Sequence, residues 1–158
     1  MNCLFKKPRI RIVAMLAVIS CACCRLSADE AVIKVESADA DYTLTENDIR
    51  SLLSSQSDLV KKGGGRLIID RSLEGYKGEI RVEEGYLLAL HNKAFGDTDK
   101  GTVIFSDATL EFKDDSDNGV LKFGKEQITV SGIGVNGCGA LCHVGRVTDG
   151  GWDTSGET

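Results

Sequence analysis

The sequence predicts an all-β fold: a right-handed parallel β-helix (solenoid) segment with a short N-terminal helical cap. Three observations predict it. Beyond Leu59, apolar residues alternate with polar ones in short runs separated by glycine and aspartate turns, as in strands with one buried face. Pairs of these runs recur about every 20 residues, which is the signature of a repeat architecture. Helical spacing of apolar residues occurs before them, around residues 46–55.

Residues 1–28 have the pattern of a signal peptide. Basic residues in MNCLFKKPRIR precede the 13-residue apolar run IVAMLAVISCACC, and Ala28 offers a small residue for cleavage. The run is shorter than the ~20 residues that cross a bilayer. Val18–Cys21 also resembles a lipobox, so lipidation of Cys21 and a retained anchor stay open beside simple cleavage. All three interpretations predict that the protein is exported.

The charge balance disfavours nucleic acid as a partner. The chain has 19 basic and 24 acidic residues, a formal charge of −5. Residues 1–28 hold five of the basic residues and none of the acidic ones, so the remainder has a formal charge of −10. Nucleic-acid binding requires a basic surface. Four of the six cysteines also lie in residues 1–28, which leaves Cys138 and Cys142 and excludes a disulfide-rich scaffold.

Residues 29–58 are predicted to form the N-terminal cap. Thr45, with Asp48 three residues later, resembles a capping box. Ile49, Leu52 and Leu53 then lie at helical spacing, which predicts a helix at about 46–55. Its apolar face is expected to cover the open end of the strands that follow.

Residues 59–145 are predicted to form the repeated strands. The apolar pairs begin at positions 67, 80, 88, 103, 110, 121 and 128, and every second gap between them is short. Each turn of chain would bury its inward residues by stacking on the next turn, as in a solenoid. A meandering β-sandwich stays open as the alternative. The residues expected to point inward are Leu67, Ile69, Ile80, Val82, Leu88, Leu90, Val103, Phe105, Leu110, Phe112, Leu121, Phe123, Ile128 and Val130.

The same region resembles a known family. LVKKGGGRLIIDRSLEGYKGEIRVEEGYLLALHNKAFGDTDKGTVIFSDATLEF, from Leu59 to Phe112, is similar to the autotransporter-associated β-strand repeat, also called the passenger-associated transport repeat. ITVSGIGVNGCGAL, from Ile128 to Leu141, resembles the continuation of that repeat. The matching positions are Leu59, Lys61, Gly63, Gly65, Leu67, Ile69, Tyr76, Gly78, Val82, Gly85, Leu87 or Leu88, Ala94, Gly96, Gly101, Val103, Ala108, Thr109 and Leu110.

The resemblance implies a non-enzymatic structural segment: an exported or surface stalk of an autotransporter-like passenger from a Gram-negative-type bacterium, which assists secretion and contributes to adhesion. It assigns no catalytic, cofactor-binding or metal-binding residue. The expected partners are the export machinery, through the signal peptide, and the rest of a longer passenger or its outer-membrane barrel. Residues 146–158 are interpreted as a truncated tail, and the charged RSLEGYKGE (71–79) departs from the family's Thr/Gly-rich stretch. An open last turn exposes strand edges, so self-association is expected.

Two glycine-rich stretches resemble phosphate-binding motifs. SGIGVNGCGALCH (131–143) contains the spacing G-x-G-x-x-G, but the residues after Gly137 leave no room for the helix and second strand of a dinucleotide-binding unit. KKGGG (61–65) lacks the G-K-[ST] ending of a P-loop. Both stretches are therefore predicted to be turns in which glycine permits a positive φ.

Cys138, Cys142 and His143 form C-x-x-x-C-H, one residue longer than the haem-attachment motif. An exported electron-transfer module with c-type haem is therefore the runner-up function, with His91 as the candidate second axial ligand. A zinc site, a local disulfide and two free thiols beside a solvated histidine are the other interpretations.

Acidic residues suggest two weaker alternatives. Asp114–Gly119 resembles the start of a calcium loop, but Lys125 stands where the bidentate glutamate belongs and Glu126 follows one residue late. A carbohydrate-binding or carbohydrate-cleaving β-helix would use paired carboxylates on outer strands. Asp70, Glu79, Glu83 and Glu111 are the outward candidates, and solvation of the strand surface is their simpler role.

Overall fold

The computed structural model describes residues 30–97, 100–113 and 121–144. Within these ranges the protein is mostly β: a curled, half-barrel-like parallel sheet carries one α-helix. The elements in chain order are β1 (Glu30–Lys34), β2 (Asp41–Thr43), α1 (Glu46–Ser55), β3 (Asp58–Lys62), β4 (Arg66–Ile69), β5 (Ile80–Ala89), β6 (Thr102–Phe112), β7 (Ile128–Val130), a 3-10 turn (Val135–Gly137) and β8 (Leu141–His143).

The strands form two parallel ladders. The first ladder contains β1, β3, the first halves of β5 and β6, and β7. The second ladder contains β2, β4, the second halves of β5 and β6, and β8. Leu59 pairs with Ile80 and Ile80 with Thr102, separations of 21 and 22 residues, so the predicted repeat of about 20 residues is confirmed there. Parallel pairing throughout the described strands excludes the antiparallel meander.

The predicted helix at 46–55 is confirmed, but it follows two strands of the sheet instead of standing before the first one. Thr45 caps the N-terminus of α1, and its backbone N–H donates to Asp48 Oδ2 at 2.9 Å in a complete capping box. Leu52 is buried in the core, with Ile49 and Leu53 partly buried beside it. However, β1 and β2 precede the helix and already belong to the sheet, so parallel stacking begins at Glu30 rather than near Leu59.

The hydrophobic core lies on the concave side of the sheet. Five of the predicted inward residues, Leu67, Ile69, Ile80, Val82 and Leu110, are fully buried. The core cluster contains Leu44, Leu52, Leu59, Leu67, Ile69, Leu73, Tyr76, Ile80, Val82, Leu87, Ala89, Ala94, Phe95, Ile104, Ala108 and Leu110.

In the first half of β6, the prediction of which alternate side chains point inward (the parity of the strand) is wrong. Phe105 is 41% exposed and Val103 is half-buried, whereas Thr102 and Ile104 are buried. The stretch TVIF has apolar residues at both parities, so alternation alone could not choose between them. Pairing decides, because Ile104 stands opposite Val82, and a one-residue shift moves every side chain to the other face. Val82 pairs with Ile104 but Glu84 pairs with Asp107, so β6 contains one extra residue at this point. The extra residue reverses the alternation, and Leu110 points inward as predicted.

The prediction that Leu88 points inward is wrong. Leu87 pairs with Leu67 and Leu110 and is the inward residue, whereas Leu88 stands opposite Glu111 on the outer face of the same strand. The sequence YLLAL again offers leucine at both parities.

The last predicted core positions are less buried than expected. Val130 is 37% exposed, and Leu90, Phe112, Leu121, Phe123 and Ile128 are only partly buried. β7 has a single neighbour, β6, among the described strands, so its side chains are covered from one side only. Residues 121–123 do not form the expected strand; instead the Phe123 ring lies 4.8 Å from that of Phe95 and 5.2 Å from that of Phe112, measured between centroids.

Several sequence predictions fall outside the described residues: the signal peptide, the calcium-loop segment Asp114–Gly119 and the tail 146–158. In the part of the chain that the structure does describe, no helix is both long and apolar enough to cross a membrane.

The assigned parity of β6 can be tested by paired alanine substitutions. Ile104→Ala is expected to lower the free energy of unfolding by about 2–5 kcal/mol, because it leaves a cavity in the core. Phe105→Ala removes an outward side chain and is expected to cost less than about 1 kcal/mol. Urea unfolding followed by far-UV circular dichroism measures both. The opposite ranking would show that the sequence-based parity was right.

Candidate functional site: the glycine corner

The chain passes from the first ladder to the second through a sharp turn made of glycine. β3 ends at Lys62 and β4 begins at Arg66, so Gly63, Gly64 and Gly65 form the whole connection. In the next turn of chain, Gly85 occupies the equivalent place within β5. Gly63 has φ +80° and Gly85 has φ +74°, conformations that other residues adopt at a cost. We call these four residues the glycine corner.

Backbone atoms touch across the glycine corner. A Cβ atom on Gly85 would lie 2.5 Å from Gly63 O and 2.6 Å from Gly65 O. A Cβ atom on Gly65 would in turn lie 2.5 Å from Ser37 O in the preceding turn of chain. No side chain can occupy these positions without moving the backbone. Three consecutive turns of chain are therefore in direct contact here.

Lys61 lies inside the sheet immediately before the glycine corner and is fully buried. It is on the same face of β3 as Leu59 and in the same row as Val82. Its Nζ donates to Gly63 O at 2.5 Å, Glu84 O at 2.7 Å and Lys62 O at 3.3 Å. Three carbonyl oxygens thus receive the three ammonium protons, as a buried charge requires.

Burial lowers the pKa of Lys61 from 10.5 to about 8, and the nearby Glu84 carboxylate partly opposes that shift. Glu84 also accepts a hydrogen bond from the Gly63 backbone N–H at its Oε2, at 3.2 Å. The side chains of Lys61 and Glu84 therefore both connect the turn at Gly63 to strand β5. Because Nζ is engaged by the backbone, Lys61 is not a phosphate-binding group.

The second glycine-rich stretch folds back over the outer face of β6. Thr109 is buried there: its Oγ1 donates to Gly139 O at 3.0 Å and accepts from the Val135 N–H at 2.9 Å. Gly134 has φ +77°, and a Cβ atom there would overlap Gly139 O. After Gly137 the chain enters β8 and not a helix. The turn interpretation of G-x-G-x-x-G is confirmed.

Cys138 is exposed, Cys142 is half-buried, and both are free thiols, so the local disulfide is not formed. Cys142 and His143 are consecutive residues of β8, paired with Glu111 and Phe112. Side chains of consecutive strand residues point to opposite faces. Cys142 and His143 therefore do not share a face on which one haem could be attached and ligated. His91, the other candidate ligand, accepts a hydrogen bond from the Lys93 N–H at Nδ1, at 3.0 Å.

Among residues 30–97, 100–113 and 121–144, no group of three or more His, Cys, Asp or Glu side chains is arranged to hold a metal ion.

The outer face of the second ladder carries a cluster centred on Arg66. Arg66 Nε and Nη2 donate to Glu111 Oε2 and Oε1 at 2.6 and 3.2 Å, and Nη1 donates to Asp41 Oδ1 at 3.2 Å. The guanidinium also lies 5.3 Å from the centroid of the Tyr86 ring. The Glu111 side chain is only 7% exposed. This cluster connects β2, β4, β5 and β6 and engages both carboxylate oxygens of Glu111 in a bidentate ion pair with Arg66.

The other three carboxylates that the sequence predicted to point outward also have cationic neighbours. Glu83 lies 2.9 Å from Lys62 Nζ, Glu79 lies 3.5 Å from Arg81 Nε, and Asp70 lies 3.7 Å from Arg71 Nε. These pairs keep the sheet surface polar. They do not form a pair of carboxylates facing each other across a cleft, as glycoside hydrolysis requires.

An open groove of about 410 Å³ runs beside α1. Its floor includes Ile49 and Leu53, and its rim includes Arg50 and the Arg71–Glu46 ion pair at 2.7 Å. Two arginines and one glutamate are the charged residues that line this groove.

Comparison of the chain with protein-family models, curated proteins and solved structures finds no match. Functional inference therefore rests on the sequence and the geometry. The sequence placed Lys61 and the glycines in one motif but did not indicate their mutual contacts. Lys61 follows Leu59 by two residues, and this spacing in a period-two strand is the signal that could have indicated an inward lysine.

Substitution of Gly85 tests whether the glycine corner is limited by backbone contact. Gly85→Ala places Cβ against two carbonyl oxygens, whereas Gly124→Ala, also at positive φ (+68°), meets nothing within 4 Å. Gly124→Ala is expected to cost about 1–2 kcal/mol of unfolding free energy from backbone strain. Gly85→Ala is expected to cost about 1–3 kcal/mol more. Equal losses in urea unfolding would contradict the contact.

The buried Lys61 predicts a specific pH dependence. The folded protein loses the Lys61 proton near pH 8 and the unfolded chain near 10.5, so the folded state binds fewer protons between these values. The free energy of unfolding should therefore contain a component that rises from about pH 8 to about pH 10. Above pH 10 the sign reverses at Tyr42, whose pKa burial raises to about 12.

Urea unfolding at several pH values between about 7 and 10 measures this component. Lys61→Met should abolish the rise, and the control Lys62→Met, which changes an exposed lysine paired with Glu83, should retain it. A wild-type profile parallel to that of Lys61→Met would contradict the assignment.

Proposed function

We propose that this chain is an exported, non-enzymatic structural segment: a right-handed parallel β-solenoid that forms part of a surface stalk of the autotransporter passenger type. In this proposal each turn of chain is one repeat, and the turns stack outward from the cell. Adhesion, where it occurs, would be a property of the stalk surface. The outer-membrane barrel, or the rest of the passenger, would be the partner that holds the stalk.

The glycine corner is the observation that supports this proposal most directly. The residues that resemble the passenger repeat, Lys61, Gly63, Gly65 and Gly85, contact one another or the adjacent turn of chain. A motif whose members serve to stack one turn on the next has a structural purpose. Nearest-neighbour stacking also suits folding that proceeds turn by turn after export.

The polar surfaces support the same proposal. The four carboxylates that the sequence offered for catalysis, Asp70, Glu79, Glu83 and Glu111, each form an ion pair with an arginine or a lysine. Ion pairs of this kind keep the outer face of a sheet soluble. No observation favours the carbohydrate or haem alternatives in the same specific way.

Surface display tests the proposal. The chain, with its own N-terminal segment, is fused to a heterologous outer-membrane barrel translocator, and delivery is measured by the fraction that external protease removes from intact cells. The wild type is expected to reach the surface. Gly85→Ala should lower the delivered fraction, because a turn that cannot stack does not assist folding outside the cell.

Gly124→Ala is the matched control, since it replaces a positive-φ glycine that has no neighbours. It is expected to be delivered like the wild type. Retention of the wild type inside the cell, or equal delivery of Gly85→Ala and Gly124→Ala, would contradict the proposed function. An absorption spectrum of the exported chain in a haem-maturing host completes the test, because a Soret band that survives denaturation would establish the haem alternative instead.

A further inference from the structure

The two ends of the sheet present complementary strand edges. At one end, β7 and β8 each pair only with β6 among the described strands. The Ser131 N–H donates to Ile104 O, and the Val144 N–H donates to Phe112 O. Because hydrogen-bonding direction alternates along a strand, the N–H groups of Val130 and Leu141 point away from β6. We call this the tail edge.

At the other end, among the described strands, β1 pairs only with β3 and β2 only with β4. The Val35 N–H donates to Lys62 O and the Leu44 N–H donates to Ile68 O, so Lys34 and Thr43 direct their backbone groups away from the sheet. We call this the head edge. The head edge offers two strands joined by residues 35–40, and the tail edge offers two strands joined by residues 131–140.

The inward rows of side chains run from one edge to the other. One row passes from Ile33 through Lys61, Val82 and Ile104 to Val130. Another begins at Tyr42 and ends at Leu141. Each row ends in an apolar side chain at both edges.

Exposure of these side chains is concentrated at the tail edge. Leu141 is 51% exposed and Val130 is 37% exposed, although residues in the same rows one turn earlier are buried. The loop that contains Val135 and Gly139 folds over the outer face of β6 through Thr109, so it does not cover this end.

We propose that the tail edge binds the head edge of a second copy of this chain, so that copies stack head to tail. Ile33 of the second copy would then continue the row that ends at Val130, and Tyr42 the row that ends at Leu141. An isolated peptide strand could satisfy one ladder only. A second copy satisfies both ladders at once, because its β1 belongs to the first ladder and its β2 to the second. Such an interface is heterologous and produces an open filament.

This inference rests on the proposed solenoid and names its partner. The test uses the protein as exported from a bacterial host, studied by sedimentation velocity over a range of concentrations. The wild type is expected to form a concentration-dependent series of oligomers. Leu141→Lys, which places a charge at the tail edge, and Lys34→Pro, which removes an outward N–H from the head edge, should each give monomers.

Mixing the two variants distinguishes head-to-tail stacking from other association. A Leu141→Lys copy keeps an intact head edge, and a Lys34→Pro copy keeps an intact tail edge. Their equimolar mixture is therefore expected to form a dimer that grows no further. Phe105→Lys is the matched control: it adds the same charge at a residue that is 41% exposed on the outer face of β6, away from both edges, and it should assemble like the wild type.

Far-UV circular dichroism of every variant confirms folding, and Val32→Pro replaces Lys34→Pro if the latter unfolds. A β-structured wild type that stays monomeric overturns the inference and leaves the proposed stalk intact. Assembly by either edge variant alone, or loss of assembly in Phe105→Lys, also overturns it. A wild type without a β-type spectrum overturns the proposed solenoid itself.

Discussion

Contact between backbones at the glycine corner is the constraint on which the rest of the structure depends. Parallel strands can stack in register only if the turns between them also stack, and at Gly65 and Gly85 the turns approach so closely that no Cβ fits. The hydrogen-bonded spacing of ~4.8 Å between strands sets the height of one turn of chain above the next, and glycine lets the turns keep that spacing. The rows of inward side chains then align, and the core forms from residues about 20 positions apart in the sequence.

Such close stacking leaves polar groups that must be satisfied inside the sheet. At the glycine corner, Lys61 donates a hydrogen bond to the carbonyl oxygen of Gly63. Where the second glycine-rich stretch folds back, Thr109 accepts one from the Val135 N–H. On the outer face Arg66 spans from β4 to β6 and neutralises Glu111. The hydrogen bonds and ion pairs of these polar side chains therefore serve to hold neighbouring turns of chain together.

Burial in this architecture depends on position within the stack. A strand in the middle is covered by one neighbour on each side, and Ile80 and Val82 of β5 are fully buried. A strand at the end has one neighbour, and Val130 of β7 is correspondingly exposed although its sequence pattern is equally apolar. Within residues 30–97, 100–113 and 121–144, the first and last strands of the sheet therefore have backbone groups and side chains that no neighbouring strand covers.

The sequence by itself determined the class of structure: period-two strands, a repeat of about 20 residues, the helix at 46–55 with its Thr45 cap, and the positions of the glycine turns. These features are local, because they depend on propensity, capping and positive φ. Only the tertiary structure decided which face of β6 points inward, that β1 and β2 belong to the sheet, and that Lys61 is buried. Those outcomes depend on which residues stand opposite one another across strands, and where a stretch such as TVIF is apolar at both parities, only the neighbouring strand can choose.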